Sequence, residues 1–237
     1  MGALPLHWTD PEHAFALDDS AGLDGLAVSV HQQWRFLNLQ PGTVVELRAL
    51  GDRRRVALCD HLQDAIRLAR EADAFADATG VYMIPSRISD EAASRYPLNR
   101  WHPATAGCVG KSDVTHRRAL YIDCDAERAS GTNATDAEKA CAVRLADRIE
   151  GWLSKRLDSR CIGRGDSGNG ASIFVALDPA PCSEETDTAI AEFLRRAAAT
   201  FVEPGAKVDT AVWNPDRLVP LFGTRKRKAP HSADRPQ

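Results

Sequence analysis

Residues 120–125 read Leu-Tyr-Ile-Asp-Cys-Asp, an apolar run that ends in two aspartates. The run favours a β-strand, and because residues two apart lie on the same face of a strand, Asp123 and Asp125 share one face. Two neighbouring carboxylates repel each other when both are ionised, and a cation between them removes that repulsion. Hard divalent ions prefer oxygen ligands, so this stretch is a candidate metal site. The alternative is a strand that runs into a polar loop.

Strand and helix patterns alternate on both sides of this stretch. We expect strands over 43–50, 55–59, 81–84, 161–163, 172–176 and 207–209, and helices over 60–79, 90–96, 136–157 and 184–201. Asp60 and Thr135 are the expected N-caps, Gly80 is expected to end the first helix, and residues 97–118 are expected to be irregular. Trp152 falls on an apolar helical stripe, which predicts a core position. The alternation predicts an α/β or α+β fold, and we expect α+β.

Composition restricts the class of protein. The 237 residues suffice for one large domain or two closely packed subdomains. Six cysteines without Cys-x-x-Cys spacing or a close histidine argue against a structural zinc site and a disulfide framework, so no zinc is expected. No apolar run is long enough to span a membrane and no signal-peptide pattern opens the chain. We therefore expect a soluble, cytoplasmic protein without a membrane partner.

The formal net charge of −3 is unevenly distributed. Residues 1–30 are acidic without a sustained period, which predicts an irregular N-terminal arm. Residues 225–228 read Arg-Lys-Arg-Lys, and a local basic patch of this kind can hold phosphates even when the total charge is negative. The alternative is a solvated tail.

A glycine-rich turn lies between two expected strands. Residues 164–170 read Arg-Gly-Asp-Ser-Gly-Asn-Gly, and no helix opens directly behind them. Dinucleotide fingerprints and P-loops both need that helix, so both are excluded. The glycines allow backbone N–H groups to approach an anion closely, while Asn-Gly is also typical of a plain hairpin.

A third acid, Asp209, stands at the end of the last expected strand, before an Asn-Pro-Asp-Arg stretch at 214–217. One aspartate is a weak signal alone. With the pair at 123 and 125, it completes the minimum set for holding two divalent ions.

The order Asp-x-Asp, Ser-Gly-Asn-Gly, apolar-Asp resembles the catalytic core of the archaeo-eukaryotic primase superfamily, most of all the primase-polymerases (bifunctional DNA primase/polymerases) of mobile elements, phages and plasmids. Further stretches are similar to that group in order and spacing: 44–49, 80–82, 99–100, 117–118 and 214–228. The similarity runs from about residue 40 to the end of the sequence.

The resemblance implies an activity and a set of site residues. The activity is template-directed nucleotidyl transfer, in which single-stranded DNA template, primer and nucleoside triphosphates are the partners and a helicase domain or protein often accompanies the enzyme. Asp123, Asp125 and Asp209 are implied to be catalytic and to bind two Mg²⁺ or Mn²⁺ ions. The implied nucleotide-binding residues are Ser167, Gly168, Asn169, Ser172, Arg217, Lys226 and Lys228.

The resemblance also implies an architecture. An N-terminal α/β unit (31–115) packs on an RRM-like catalytic unit (116–228), and the active site lies in the cleft between them. Together with a tail (229–237), these units form one primase-polymerase domain (31–237) that follows the acidic arm (1–30).

One position departs from the family pattern. Two residues after the Ser-Gly-x-Gly turn the family has a histidine that contacts phosphate, and this chain has Ser172. A serine donates one hydrogen bond and no charge, so a catalytically weakened nucleotide- or nucleic-acid-binding module is one alternative function. A metal-dependent nuclease is the other, because three acids with two metals also cleave backbones.

Overall fold

The computed structural model describes residues 24–227, 229–230 and 232–235. Its α-helices there are α1 (Gly25–Phe36), α2 (Leu62–Asp73), α3 (Asp90–Ala93), α4 (Asp136–Leu153) and α5 (Glu184–Thr200). Its strands there are β1 (Val45–Gly51), β2 (Arg55–Cys59), β3 (Ala78–Met83), β4 (Arg87–Ile88), β5 (His102–Pro103), β6 (Val114–Ala126), β7 (Ile162–Asp166), β8 (Gly170–Pro181), β9 (Ala206–Val208) and β10 (Val219–Pro220). Helices pack on two antiparallel sheets, so the predicted α+β class is confirmed.

The first sheet has the strand order β10-β3-β1-β2-β5, and its neighbouring strands are antiparallel. β1 and β2 form the predicted hairpin, in which Val45 pairs with Cys59 and Ala49 with Arg55. The amphipathic α2 contacts β2 and β3. Its buried face, which includes Ile66 and Leu68, supplies the apolar layer on this sheet.

The second sheet is built from the consecutive elements β6-α4-β7-β8-α5-β9. Their order in space is β9-β6-β8-β7 with antiparallel neighbours, and β4 pairs with the first residues of β6 on the same edge as β9. α4 contacts β6, β8 and β9, and its side chains Leu145 and Ile149 are fully buried. α5 contacts β9.

The two faces of this second sheet differ. Arg164 of β7 donates to Glu150 of α4, so Arg164 and its cross-strand neighbour Ile173 lie on the face that the helices cover. The adjacent row therefore faces away from them. There, a Cβ added to Gly165 would come within 2.0 Å of the ring of Phe222, so only glycine allows this aromatic ring to lie on β7.

A segment that we call the strap, residues 219–227, connects the two sheets. It begins with β10, which pairs with β3 of the first sheet. Gln33 of α1 donates to the carbonyl of Pro220 at 3.0 Å and accepts from the backbone N–H of Phe222 at 3.0 Å. Phe222 then packs edge-on against Phe174 of β8, with ring centroids 5.7 Å apart. One buried cluster includes residues of both sheets, among them Leu47, Met83, Ile122 and Ile173.

The structure corrects the expected bounds of α2. His61 is its N-cap, while the Asp60 carboxylate bonds to the ring of His61 and to the side-chain amide of Asn99. The helix ends at Asp73, before the expected stop at Gly80. Gly80 instead lies inside β3, where the ring of Tyr82 covers the space that a side chain would need.

Four further expectations are corrected. Trp152 is 36% exposed, because it lies at the rim of α4 with one edge against Phe201. α1 begins at Gly25 inside the expected irregular arm, since Ala27, Val30 and Trp34 form a buried stripe; residues 1–23 lie outside the described residues. The segment 97–118 contains β5 and the start of β6, and both α3 and α4 end earlier than expected.

The cap at Thr135 is confirmed, with Glu138 completing a capping box.

Candidate metal centre

Three carboxylates converge at the end of β6. Asp123 and Asp125 alternate with Cys124, whose side chain is fully buried, so both acids lie on the other face. β9 pairs antiparallel with β6, and the backbone N–H of Asp209 donates to the carbonyl of Asp123 at 2.8 Å. One carboxylate oxygen from each of the three residues lies within 4.8 Å of the others. The sequence prediction that these acids form one cluster is confirmed.

The donor set fits a hard divalent cation. Burial, and next the neighbouring Asp125, raise the pKa of Asp123 to about 6, and Asp209 adds to the same effect. Carboxylate oxygens are the ligands that hard divalent ions prefer. The three acids can therefore hold a divalent metal ion, which would remove the repulsion between them.

Hydroxyl and backbone groups orient two of these acids. The Ser172 hydroxyl donates to Asp123 Oδ1 at 3.3 Å and is hydrogen-bonded to the Tyr121 hydroxyl at 2.9 Å. Asp209 Oδ1 accepts from the backbone N–H of Ala211 at 2.8 Å. Such outer partners fix ligand orientation in metal sites.

Ser172 does not occupy an open position where a phosphate contact is expected. It pairs with Asp123 across the β6–β8 ladder, and its side chain is fully buried. Its hydroxyl is hydrogen-bonded to Tyr121 and Asp123, so Ser172 directly contacts a carboxylate of the candidate metal centre.

The glycine-rich turn is the predicted hairpin connection between β7 and β8. Gly168 has a positive φ of 82°, and its N–H donates to Asp166 at 2.8 Å. Asn169 is buried and accepts from the backbone N–H of Ala134 at 2.6 Å, which anchors the loop before α4. Ser167 is also buried, and within the described residues its hydroxyl has no hydrogen-bond partner. Ser167 therefore retains an unused donor, and it lines a small cavity together with Lys226.

The side chains of the basic run at 225–227 contact different parts of the protein. Arg225 binds the Asp73 carboxylate, and Arg227 binds the Asp73 and Ala78 carbonyls, so both anchor the strap to the first sheet. Lys226, between them in sequence, lies instead beside Gly168 and Tyr82. Its charge lowers the pKa of Asp123, and its Nζ lies 6.0 Å from the ring centroid of Tyr82. Lys228 lies outside the described residues.

Arg217 also reaches the acid cluster. Its guanidinium lies 3.4 Å from Asp209 Oδ2, and both side chains are about one-third exposed. The fold thus places Arg217 beside Asp209 and brings the charge of Lys226 close enough to act on Asp123.

Sequence reasoning missed two tyrosines of this site. Tyr121 is buried and bonds to Ser172, and Tyr82 projects from β3, where burial and next the charge of Asp123 raise its pKa. Tyr121 precedes Asp123 by two residues, so strand alternation alone places it on the acid face. Tyr82 belongs to the other sheet, and no local pattern indicates that it lies near Asp123.

Divalent-ion affinity is expected to rise about 10-fold between pH 5 and pH 7. Asp123, with its pKa of about 6, is mostly protonated at pH 5 and must lose that proton to bind a cation. Titration calorimetry with Mn²⁺ at the two pH values measures this change.

The same raised pKa affects stability without metal. A carboxyl whose pKa in the folded state exceeds its unfolded value contributes stability below the unfolded value, and that contribution is lost as pH rises through about 6. Asp123→Asn should therefore raise the melting temperature of the metal-free protein more at pH 7 than at pH 4. Equal gains at both pH values would contradict the raised pKa.

No protein-family model matches this sequence, and no curated protein matches it. In the described part of the chain, no helix combines the length and apolar character needed to cross a membrane.

Proposed function

We propose that this chain is a template-directed nucleotidyltransferase, a DNA primase/polymerase that joins nucleoside triphosphates on single-stranded DNA. The observation that carries the proposal is the convergence of Asp123, Asp125 and Asp209 beside Lys226 and the turn at 166–170. The three acids supply a binding site for cations, and the lysine and the turn supply partners for phosphates. This combination suits phosphoryl transfer, where catalysis consists mainly of positioning and neutralising charge.

The strand order of the second sheet supports an RRM-like catalytic unit. The elements β6-α4-β7-β8-α5-β9, arranged as β9-β6-β8-β7, have the connectivity of a split β-α-β unit. The first sheet then corresponds to the N-terminal unit, and the acid face of the second sheet is the floor of the cleft. The position of the strap supports this assignment, because it carries Phe222 and Lys226 over that floor.

Each side chain has a role that follows from its position. When bound, Mg²⁺ or Mn²⁺ lowers the pKa of the attacking hydroxyl and stabilises the charge on the transferred phosphoryl group. Asp123, Asp125 and Asp209 hold and orient the cations. Lys226 neutralises the triphosphate, and the unused hydroxyl of Ser167 donates to a phosphate oxygen. Arg217, at the outer edge of the cluster, neutralises triphosphate or template charge.

Ser172 is assigned to positioning Asp123 rather than to binding phosphate. Ser172→Ala removes the hydroxyl that links Tyr121 to Asp123, so we expect Mn²⁺ affinity to fall about 10-fold. Ser172→His is expected to lower both activity and stability, because the position is fully enclosed and extra volume costs about 1–3 kcal/mol. Calorimetry and thermal unfolding measure these effects, with the exposed Ser112→Ala as control. A gain of activity in Ser172→His would show that the site lacks a phosphate ligand and would contradict this assignment.

Template-directed synthesis is the direct test. The full chain is incubated with Mn²⁺ and labelled single-stranded DNA, with and without a primer and with either deoxynucleoside or ribonucleoside triphosphates. We expect products longer than the primer whose sequence follows the template. Shortening of the DNA without nucleotides would identify a nuclease instead. Template binding without any change in DNA length would identify a non-catalytic binding module.

A further inference from the structure

Three basic side chains meet where β4 joins β6, away from the acid cluster. Arg87 on β4 pairs directly with His116 on β6. Arg118 follows His116 by two residues, at a register shift of β6 against β8, and it lies close enough to Arg87 for the two charges to interact. Five residues separate Arg118 from Asp123, which corresponds to roughly 17 Å along an extended strand. One phosphate cannot contact both places.

These groups lack the partners that buried cations normally have. The Nε of Arg118 and the Nδ1 of His116 are buried without a hydrogen-bond partner, and within the described residues neither Arg87 nor Arg118 forms an ion pair. Burial, and next the charge of Arg87, lower the pKa of Arg118. The Nε of Arg117 is also unpartnered, but its guanidinium forms an ion pair with the Asp187 carboxylate, which Arg118 lacks within the described residues.

A half-buried arginine beside a second arginine is unfavourable unless an anion compensates the charge. Arg87 is exposed on a two-residue edge strand, so the cluster is open to solvent from that side. The planar guanidinium fork binds phosphate oxygens in pairs, and a neighbouring imidazole N–H adds a third donor. The cluster therefore has the donors, the charge and the access of a phosphate-binding site.

We propose that Arg87, His116 and Arg118 bind a backbone phosphate of single-stranded DNA. The distance from Arg118 to the acids favours a polymer that crosses β6 over a small ligand confined to the metal centre. This inference rests on the proposed function only for the identity of the polymer, since the site itself requires no catalysis.

Binding of a fluorescently labelled single-stranded oligonucleotide, measured by anisotropy in EDTA over a salt series, tests the site. We expect the double variant Arg87→Gln/Arg118→Gln to bind at least 10-fold more weakly than the unmodified protein. The slope of log affinity against log salt should fall by about 0.7 for each phosphate that the variant no longer neutralises. Arg196→Gln is the matched control, because it removes one exposed, ion-paired charge from α5 and should bind within twofold of the unmodified protein.

Thermal unfolding separates a defect in binding from a defect in folding. Arg118→Gln removes an unpartnered, half-buried cation, so its melting temperature should equal or exceed that of the unmodified protein. A lower melting temperature would show that the native protein already satisfies Arg118 and would overturn the proposal.

The outcomes distinguish this inference from the proposed function. If DNA synthesis is absent but the variants bind DNA more weakly, the proposed function fails and the phosphate site stands. If synthesis occurs and the double variant binds like the unmodified protein, the phosphate site is wrong. Inorganic phosphate provides a further test. If phosphate raises the melting temperature only when Arg118 is present, and the double variant still binds DNA like the unmodified protein, the cluster binds a free anion. That result would overturn the DNA proposal.

Discussion

Asp125→Asn is expected to lower template-directed synthesis by at least about 1000-fold. The substitution keeps the shape of the side chain but removes one of three charges from the acid cluster. Metal ions contribute several kcal/mol to stabilising the charge of the transition state, and each 1.36 kcal/mol corresponds to a factor of ten in rate. Incorporation of labelled nucleotide on a primed template, at saturating Mn²⁺, measures the decrease.

Two controls make this result specific. Asp52→Asn, at the exposed tip of the β1–β2 hairpin, should leave synthesis unchanged. The metal-free Asp125→Asn protein should melt no lower than the unmodified protein, because the substitution relieves repulsion with Asp123. Undiminished synthesis by Asp125→Asn would remove the acid cluster from the mechanism.

Gly170→Ala is expected to lower the free energy of unfolding by at least about 2 kcal/mol and to weaken metal binding as well. A Cβ at this position would lie 2.3 Å from the Cys124 carbonyl, so the backbone of β6 or β8 must shift. Gly170 pairs with Asp125 across the ladder, so the shift displaces a carboxylate of the candidate metal centre. Denaturant unfolding and Mn²⁺ calorimetry measure the two effects.

Gly151→Ala is the matched control for this substitution. Gly151 lies in α4, and a Cβ there would have no atom within 4 Å. The same chemical change should therefore stabilise the protein by about 0.5–1 kcal/mol, through the higher helix propensity of alanine. If both glycine substitutions changed the free energy of unfolding in the same direction, the close packing described at the β6–β8 ladder would be wrong.

Local patterns predicted most of the second sheet and its acids. Strand alternation placed Asp123 and Asp125 on one face, and the Thr135 cap fixed where α4 begins. The glycine-rich turn was correctly placed between two strands, although β7 continues to Asp166, beyond its expected end at Gly163. Convergence of Asp209 with this pair depends on β9 pairing with β6, a contact between residues more than 80 positions apart. The sequence predicted that contact only through the resemblance of ordered motifs.

Predictions failed where tertiary contacts decide the local structure. Gly80 was expected to end a helix, but it lies in β3, where it pairs with Leu50 of β1. The resemblance implied only a nucleotide-binding role for Ser172, and the ladder register pairs this residue with Asp123. Neither contact has a local sequence signal, since in both cases the deciding partner or register belongs to the folded chain.

The anchors of the strap determine which parts of the chain must stay together to keep Lys226 in place. Lys226 acts on Asp123 from a strap that Gln33 holds at residues 220–222 and that Asp73 holds at Arg225. Both anchors belong to helices that precede the second sheet in the chain. Exchanging only the β6-to-β9 unit between proteins would therefore transfer the three carboxylates. It would not transfer the residues of α1 and α2 that position Lys226. Under the proposed function, such a domain exchange would therefore separate cation binding from triphosphate binding.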